Sequence, residues 1–400
     1  MKILAVETLR PDIQLNLLFV RLHTDDGLIG LGEAFFAART VETYIHETAA
    51  PIILAMDAPS PEKAAVALRP YVGYQGGGAE NRGNAAVELA LWDLLGHSTG
   101  MSLSQLLGGP VHHELRTYNT CAGADYVRAS AQQSSENWGV GHGSSPWEDL
   151  DAFLTRPGEL ARDLLSEGIT AMKVWPFDRA AERTLGTDIS VAELDQALSV
   201  IGDIRDAVGN QMDIMVELHG LWLRPAATKI MRELAAFNPF WVEDPLRADA
   251  VDAFVELRRA TSVPIATGET AVGRRGFAPL LAQGVIDYAT VDVQWTGGLT
   301  EARKVASLAD LYAVPVAPHD CTGPTTLAAC THLTASQPNG VLQETVRAFL
   351  RTWYSELVEG LPVMTGSTMQ VPTTPGHGVR LREGVAESAT VSRRVSRLSG

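Results

Sequence analysis

The feature that most constrains this chain is a series of eight short apolar runs, at 115–121, 171–175, 212–217, 240–243, 263–269, 288–292, 314–319 and 341–344, with helix-like stretches between them. Short apolar runs alternating with amphipathic stretches are what parallel strands buried on both faces require. Eight of them fit a (β/α)8-type barrel better than an open doubly wound sheet. Seven runs carry an ionisable residue at or near the end: Lys173, Glu217, Glu243, Glu269, Asp292, His319 and Glu344. From Glu217 onward the steps are 26, 26, 23, 27 and 25 residues, about one strand–helix unit each. In a barrel that register brings all of them to the rim formed by the C-terminal strand ends, where active sites are built. Singly, each has a plainer reading as a solvated loop position, and Asp244 and Thr270 are candidate helix caps beside Glu243 and Glu269. The consecutive register argues against that reading for the set.

The first 120 residues have a different texture. Apolar stretches at 15–22 and 28–32 flank Thr24-Asp25-Asp26-Gly27, a hairpin signal, and helical patterns follow at 41–56, 61–71, 85–97 and 102–107. Strands followed by helices suggest an α+β unit. The Ser-, Gly- and Trp-rich segment 134–150 reads as an insertion before the second barrel strand, and the Ser/Arg-rich end from about Ala386 as a loose tail. The glycine-rich patch at 73–78 lacks the spacing of a phosphate loop.

Charge excludes some partners. Lys and Arg number 32 against 47 Asp and Glu, a net charge of −15, which argues against nucleic acid or an anionic membrane as the main partner. An anionic substrate would need a local cation or metal. No apolar stretch reaches transmembrane length, the N-terminus lacks a signal-peptide pattern, and Cys121, Cys321 and Cys330 have no Cys-x-x-Cys spacing. Reduced thiols in a cytoplasmic protein are expected.

The rim residues suggest chemistry. Converging Glu217, Glu243 and Glu269 would repel unless a cation lay among them, and a hard divalent ion such as Mg²⁺ suits three carboxylates better than zinc does. Asp292 behind His319 would fix the imidazole tautomer and raise its basicity, as a general base needs. His219 follows Glu217 by two residues, and a strand's period of two would send both to one face. His23, His46, His97, His112, His113, His142, His332 and His377 read as surface or packing residues, and Phe35, Phe36, Tyr74 and Trp138 as candidate pocket aromatics.

The runs Met215-Val-Glu-Leu-His-Gly220, Trp241-Val-Glu-Asp-Pro245, Ala266-Thr-Gly-Glu-Thr270, Val291-Asp-Val-Gln-Trp-Thr-Gly-Gly-Leu-Thr300, Ala317-Pro-His-Asp320 and Leu342-Gln-Glu-Thr345 resemble the enolase superfamily. They are most similar to its mandelate racemase subgroup and, within that, to acid-sugar dehydratases of the galactonate dehydratase type. Thr24-Asp-Asp-Gly-Leu-Ile-Gly-Leu-Gly-Glu33 and Ala90-Leu-Trp-Asp-Leu-Leu-Gly96 resemble the capping domain. Pro375-Gly-His-Gly378 resembles the C-terminal segment, with His377 where the family usually has an apolar residue. The resemblance implies a capping domain over 1–120, a barrel over 121–345, and a C-terminal segment, 346–400, returning to the cap.

It further implies one Mg²⁺ on Glu217, Glu243 and Glu269, His319 with Asp292 as base, and His219 as acid. Lys173 and Glu344 would hold the substrate carboxylate or the developing enediolate, Glu344 as a protonated or bridging donor, and Trp175 would line the substrate site. Two departures stand out. The first metal ligand is usually Asp and here is Glu217, and the Lys-x-Lys of the racemases is here Lys173-Val174-Trp175, which removes the second base. Dehydration of an aldonate or aldarate to a 2-keto-3-deoxy acid is the expected reaction. The alternatives are a cycloisomerase of an anhydrosugar acid, a racemase or epimerase, or an inert metal- and ligand-binding barrel. A homo-oligomer is expected, since family members are commonly symmetric assemblies.

Overall fold

The computed structural model describes residues 1–398 except 71, 73–75, 142 and 144. Tyr74, His142 and half of the 73–78 patch thus lie outside the described residues. Strands β1 (Ile3–Pro11), β2 (Leu17–Thr24) and β3 (Ile29–Phe35) form an antiparallel meander around the Thr24–Gly27 turn. The long helix Ala79–Thr99 lies against β3. A Cβ on Gly30 or Gly32 would sit 2.1 or 1.9 Å from the carbonyl oxygens of Ala90 and Ala86, so only glycine permits this approach. The helix starts six residues before the expected position 85, because its polar first turns carry no apolar stripe.

The pattern expected at 41–56 forms as helix Ala38–Tyr44, a π turn Ile45–Ala49 and helix Ala50–Leu54. Pro51 lies at the change, without an N–H and crowding the carbonyl four residues back.

The barrel comprises β4 (Glu114–Thr120), β5 (Ala171–Val174), β6 (Asp213–Glu217), β7 (Trp241–Glu243), β8 (Ile265–Thr267), β9 (Tyr288–Ala289) and β10 (Gln343–Thr345). Parallel pairs run from β4 to β9, and β10 pairs with β4 to close the ring. The run at 314–319 is not a ladder strand. It joins its neighbours through single bridges, Val316 to Ala289 and to Gly340, because Pro315 and Pro318 offer no N–H to a ladder. Ala171, Met215, Trp241, Ala317 and Leu342 belong to one buried cluster. Each lies two residues before a rim residue (Lys173, Glu217, Glu243, His319 or Glu344), so the pleat puts both on the inward face.

After the barrel, β11 (Val358–Glu359) pairs with β14 (Arg380–Leu381). A hairpin of β12 (Met364–Thr365) and β13 (Thr368–Gln370) adds to β4. The expected loose tail is instead a strand, β15 (Val391–Arg397), antiparallel to β1 from Ala5 to Pro11. Its residues are mostly exposed and polar, so no apolar pattern announces it. The backbone ladder and the ion pairs Arg393–Glu7 and Arg394–Glu47 hold it. His377 is fully buried, bonding through Nε2 to the Leu31 carbonyl and accepting the Val379 N–H at Nδ1.

Two buried glutamates join the meander and its helix to the barrel. Glu33 accepts the N–H groups of Thr325 and Thr326 at the start of helix Pro324–Ser336. Glu88 accepts those of Leu299 and Thr300 at the start of helix Leu299–Leu311. Each meets donors that a helix leaves unpaired in its first turn.

Candidate active site

Glu217 and Glu243 are the last residues of their strands, and Glu269 stands two residues past β8. All three are buried, with one carboxylate oxygen from each lying within 4.8 Å of the others. Glu217 Oε1 turns back to the N–H groups of Leu218 (3.0 Å) and His219 (2.7 Å). Glu243 Oε2 takes the Trp241 indole N–H and Lys173. Among the described residues that leaves Glu243 Oε1 and Glu217 Oε2 buried without a hydrogen bond, the latter facing only the Lys173 ammonium at 3.3 Å, an arrangement that fits a divalent cation. Burial pushes the Glu243 carboxyl up despite Lys173, with Glu217, Glu344 and Glu269 adding repulsion. Glu269 moves up for the same first reason.

Lys173, at the end of β5, is buried with Nζ 2.9 Å from Glu344, 3.1 Å from Glu243 and 3.3 Å from Glu217. Burial disfavours its charge, but Glu243 and Glu344 outweigh this and hold its pKa well above the ordinary lysine value. Glu344 also accepts Thr120 Oγ1 and the Asp320 N–H. Burial opposes its ionisation, yet Lys173, His319 and these donors keep it ionised. Glu344 so placed anchors Lys173, which with Thr120 helps form the cavity wall.

His319 Nδ1 is 2.8 Å from Asp292 Oδ2, and its Nε2 is 3.3 Å from Glu269. Asp292 is itself fixed by the N–H groups of Gln294 and Trp295, each 2.7 Å from Oδ1. The Trp295 ring lies 5.0 Å from the His319 ring. Burial works against a charged His319, while Glu269, Glu344 and Asp292 raise its pKa well above the usual value.

His219 reaches the same cavity by a route other than the expected pleat. β6 ends at Glu217, and His219 has φ 51°, so a left-handed turn rather than strand alternation aims the ring. Its Nδ1 lies 2.7 Å from Asp178 Oδ2, and its ring meets Trp175 edge-on at 5.9 Å. Trp175 lines the cavity and is packed among Tyr126, Trp138 and Phe153, with its indole N–H unpartnered among the described residues.

The cavity has a volume of about 400 Å³ and brings Lys173, Glu269, His219, His319 and Trp175 together. Phe36 and Trp138 line it, whereas Phe35 is fully buried in the core. Residues 133–135, overlapping the 134–150 segment, also reach it.

Sequence reasoning missed several lining residues, among them Thr120, Asp178, Arg82 and Trp295. Thr120 ends β4, in the one run to which the register assigned no rim residue. Asp178 sits in the first turn of helix Asp178–Thr184, outside that register. Arg82 and Trp295 form a cation–ring pair at 5.6 Å, which neither segment announces.

Known proteins were compared with this arrangement. Residues 157–385 match the Enolase C-terminal domain-like family, and residues 4–108 match the Mandelate racemase / muconate lactonizing enzyme, N-terminal domain. The fold superposes on an enolase of the mandelate racemase subgroup from Agrobacterium tumefaciens with a TM-score of 0.86 at 42% identity, covering 99% of both chains. An enolase protein from Sargasso Sea environmental sequencing gives a TM-score of 0.86 at 37% identity, covering 100% of both. D-galactonate dehydratase from Xanthomonas euvesicatoria is 30% identical over 82% of this chain and 77% of its own. The chain is thus an enzyme of the mandelate racemase / muconate lactonizing enzyme family in the enolase superfamily, with that superfamily's capping domain and α/β barrel.

Proposed function

We propose that this enzyme is an acid-sugar dehydratase that converts an aldonate or aldarate to a 2-keto-3-deoxy acid. The observation that carries this reading is one cavity holding two carboxylate-backed histidines beside Lys173 and the glutamate cluster. Glu217, Glu243 and Glu269 would hold Mg²⁺, which supplies positive charge beside the substrate carboxylate. Lys173 adds a second fixed cation there, anchored by Glu344.

His319, its Nδ1 committed to Asp292, takes the C2 proton at Nε2. The bonding pair passes into the carboxylate to give an enediolate. His219 then protonates the C3 hydroxyl as the C3–O bond breaks, because hydroxide is a poor leaving group. Water departs and the enol product tautomerises to the keto acid. Relatives described as D-galactonate dehydratases, from Xanthomonas and Pectobacterium strains, support this class of substrate.

The test is a library of acid sugars incubated with enzyme and Mg²⁺ in deuterated water, read for semicarbazide-reactive product and C2 exchange. His319→Asn is expected to lose both. His219→Asn is expected to keep exchange and lose product. Normal dehydration by His219→Asn would overturn the acid assignment, and wild-type exchange without keto acid would favour an epimerase.

A further inference from the structure

The carboxylate of Asp178 stands in the first turn of helix Asp178–Thr184, where a negative charge suits the helix N-terminus, but its close contact lies elsewhere. It is buried, at 6% exposure, and among the described residues its one ion pair is with His219. Its second oxygen, Oδ1, is buried with no hydrogen-bond partner. It caps nothing: helix Asp178–Thr184 has no side-chain cap bond, and its cap position is Phe177. Burying a carboxylate costs several kcal/mol unless a partner compensates, and here the partner is an imidazole on the cavity wall.

The backbone at His219 is already fixed. Its N–H is held by Glu217 Oε1 at 2.7 Å, and the next N–H, of Gly220, by the Asp244 carbonyl at 2.7 Å. Trp175 lies against the ring edge-on. What these contacts leave open is which edge of the ring faces the cavity, since a half-turn about Cβ–Cγ exchanges Nδ1 with Cδ2 and Nε2 with Cε1 at little steric cost. A carboxylate on Nδ1 decides it, because an ionised carboxylate only accepts and so demands Nδ1–H. Asp292 makes the same contact with His319 at 2.8 Å, so both histidines are oriented alike.

We propose that Asp178 is the positioning residue for His219, holding Nδ1–H so that the imidazolium presents Nε2–H to the substrate's C3 hydroxyl. The inference rests on the reading of His219 as the acid. In the step, the Nε2 proton goes to the hydroxyl oxygen and the C3–O pair leaves with it as water. The enediolate pair forms C2=C3, and the imidazole is left neutral with Nδ1–H still donated to Asp178. Asp178 neither gains nor loses a proton.

The test uses Asp178→Asn and Asp178→Ala, with Asp178→Glu as the variant that keeps a carboxylate. Each is assayed with a sugar acid that the wild type dehydrates and with its 3-deoxy-3-fluoro analogue, whose fluoride leaves without being protonated. For Asp178→Asn, keto-acid formation is expected to fall about 10²–10⁴-fold, the usual contribution of a positioned acid. C2 exchange in deuterated water and fluoride release should stay within about threefold of wild type on the same argument, and Asp178→Glu should recover dehydration relative to Asp178→Ala. Normal dehydration by Asp178→Asn overturns the proposal. So does an equal loss of exchange, dehydration and fluoride release, which marks a merely structural role. If His219→Asn itself dehydrates normally, it is the acid assignment that fails, whatever the Asp178 variants do.

Discussion

At the glutamate cluster Lys173 faces Glu217, Glu243 and Glu344 at once, and His319 meets Glu269. The Glu217 and Glu243 oxygens left without hydrogen bonds are where a further cation would be accommodated. Replacing Glu243 by Gln removes one anionic ligand while keeping the shape. Mg²⁺ affinity by calorimetry is expected to fall at least ~10-fold, with the circular dichroism spectrum unchanged. The rim residues were legible in the sequence because strand-end register is a one-dimensional property: Glu217, Glu243, Glu269, Asp292 and His319 recur at nearly constant steps. Asp178 and Arg82 were not, since the first lies beyond a strand end and the second comes from a helix of the cap. No spacing rule links either to the barrel.

Among the elements, β15 shows how an edge is held by charge. Glu7, buried on β1, faces Arg393 on β15 and Arg21 and His23 on β2. Burial raises its pKa, but His23, Arg393 and Arg21 overcome this and bring it down to about 2 from 4.5. A carboxylate whose folded pKa is depressed stabilises fully above its unfolded pKa and loses that stabilisation as pH falls toward the folded value. β15 should therefore loosen between about pH 4.5 and 2, seen as faster amide exchange at 391–397, and Glu7→Gln should abolish that pH dependence while weakening β15 already at neutral pH. Neither this strand nor the missing ladder at 314–319 could be read from hydrophobic pattern. The first is polar on both faces, and in the second an apolar run hides two prolines.

For the molecule as a whole, the cap and barrel meet through buried hydrogen bonds as well as apolar packing. Glu33 receives the Thr325 and Thr326 N–H groups, the Thr326 hydroxyl and the Gln294 amide, and Gln294 also accepts the Phe35 N–H. Glu33→Gln puts an amide donor among these donors. Leaving buried groups unsatisfied costs about 1–3 kcal/mol, so the unfolding midpoint should drop, whereas Glu387→Gln on the surface should leave it in place.

The backbone N–H of the same Gln294 holds Asp292, which orients His319. A lineage adapting to a new substrate is therefore not free to re-seat the cap over the barrel, because any shift at Glu33 is felt at the base. Side chains that face the cavity apart from this seam, such as Trp138, are the ones that can change without moving the base. The seam turns a two-part architecture into a single inherited unit, whose chemistry is hard to lose and whose selectivity is easy to edit.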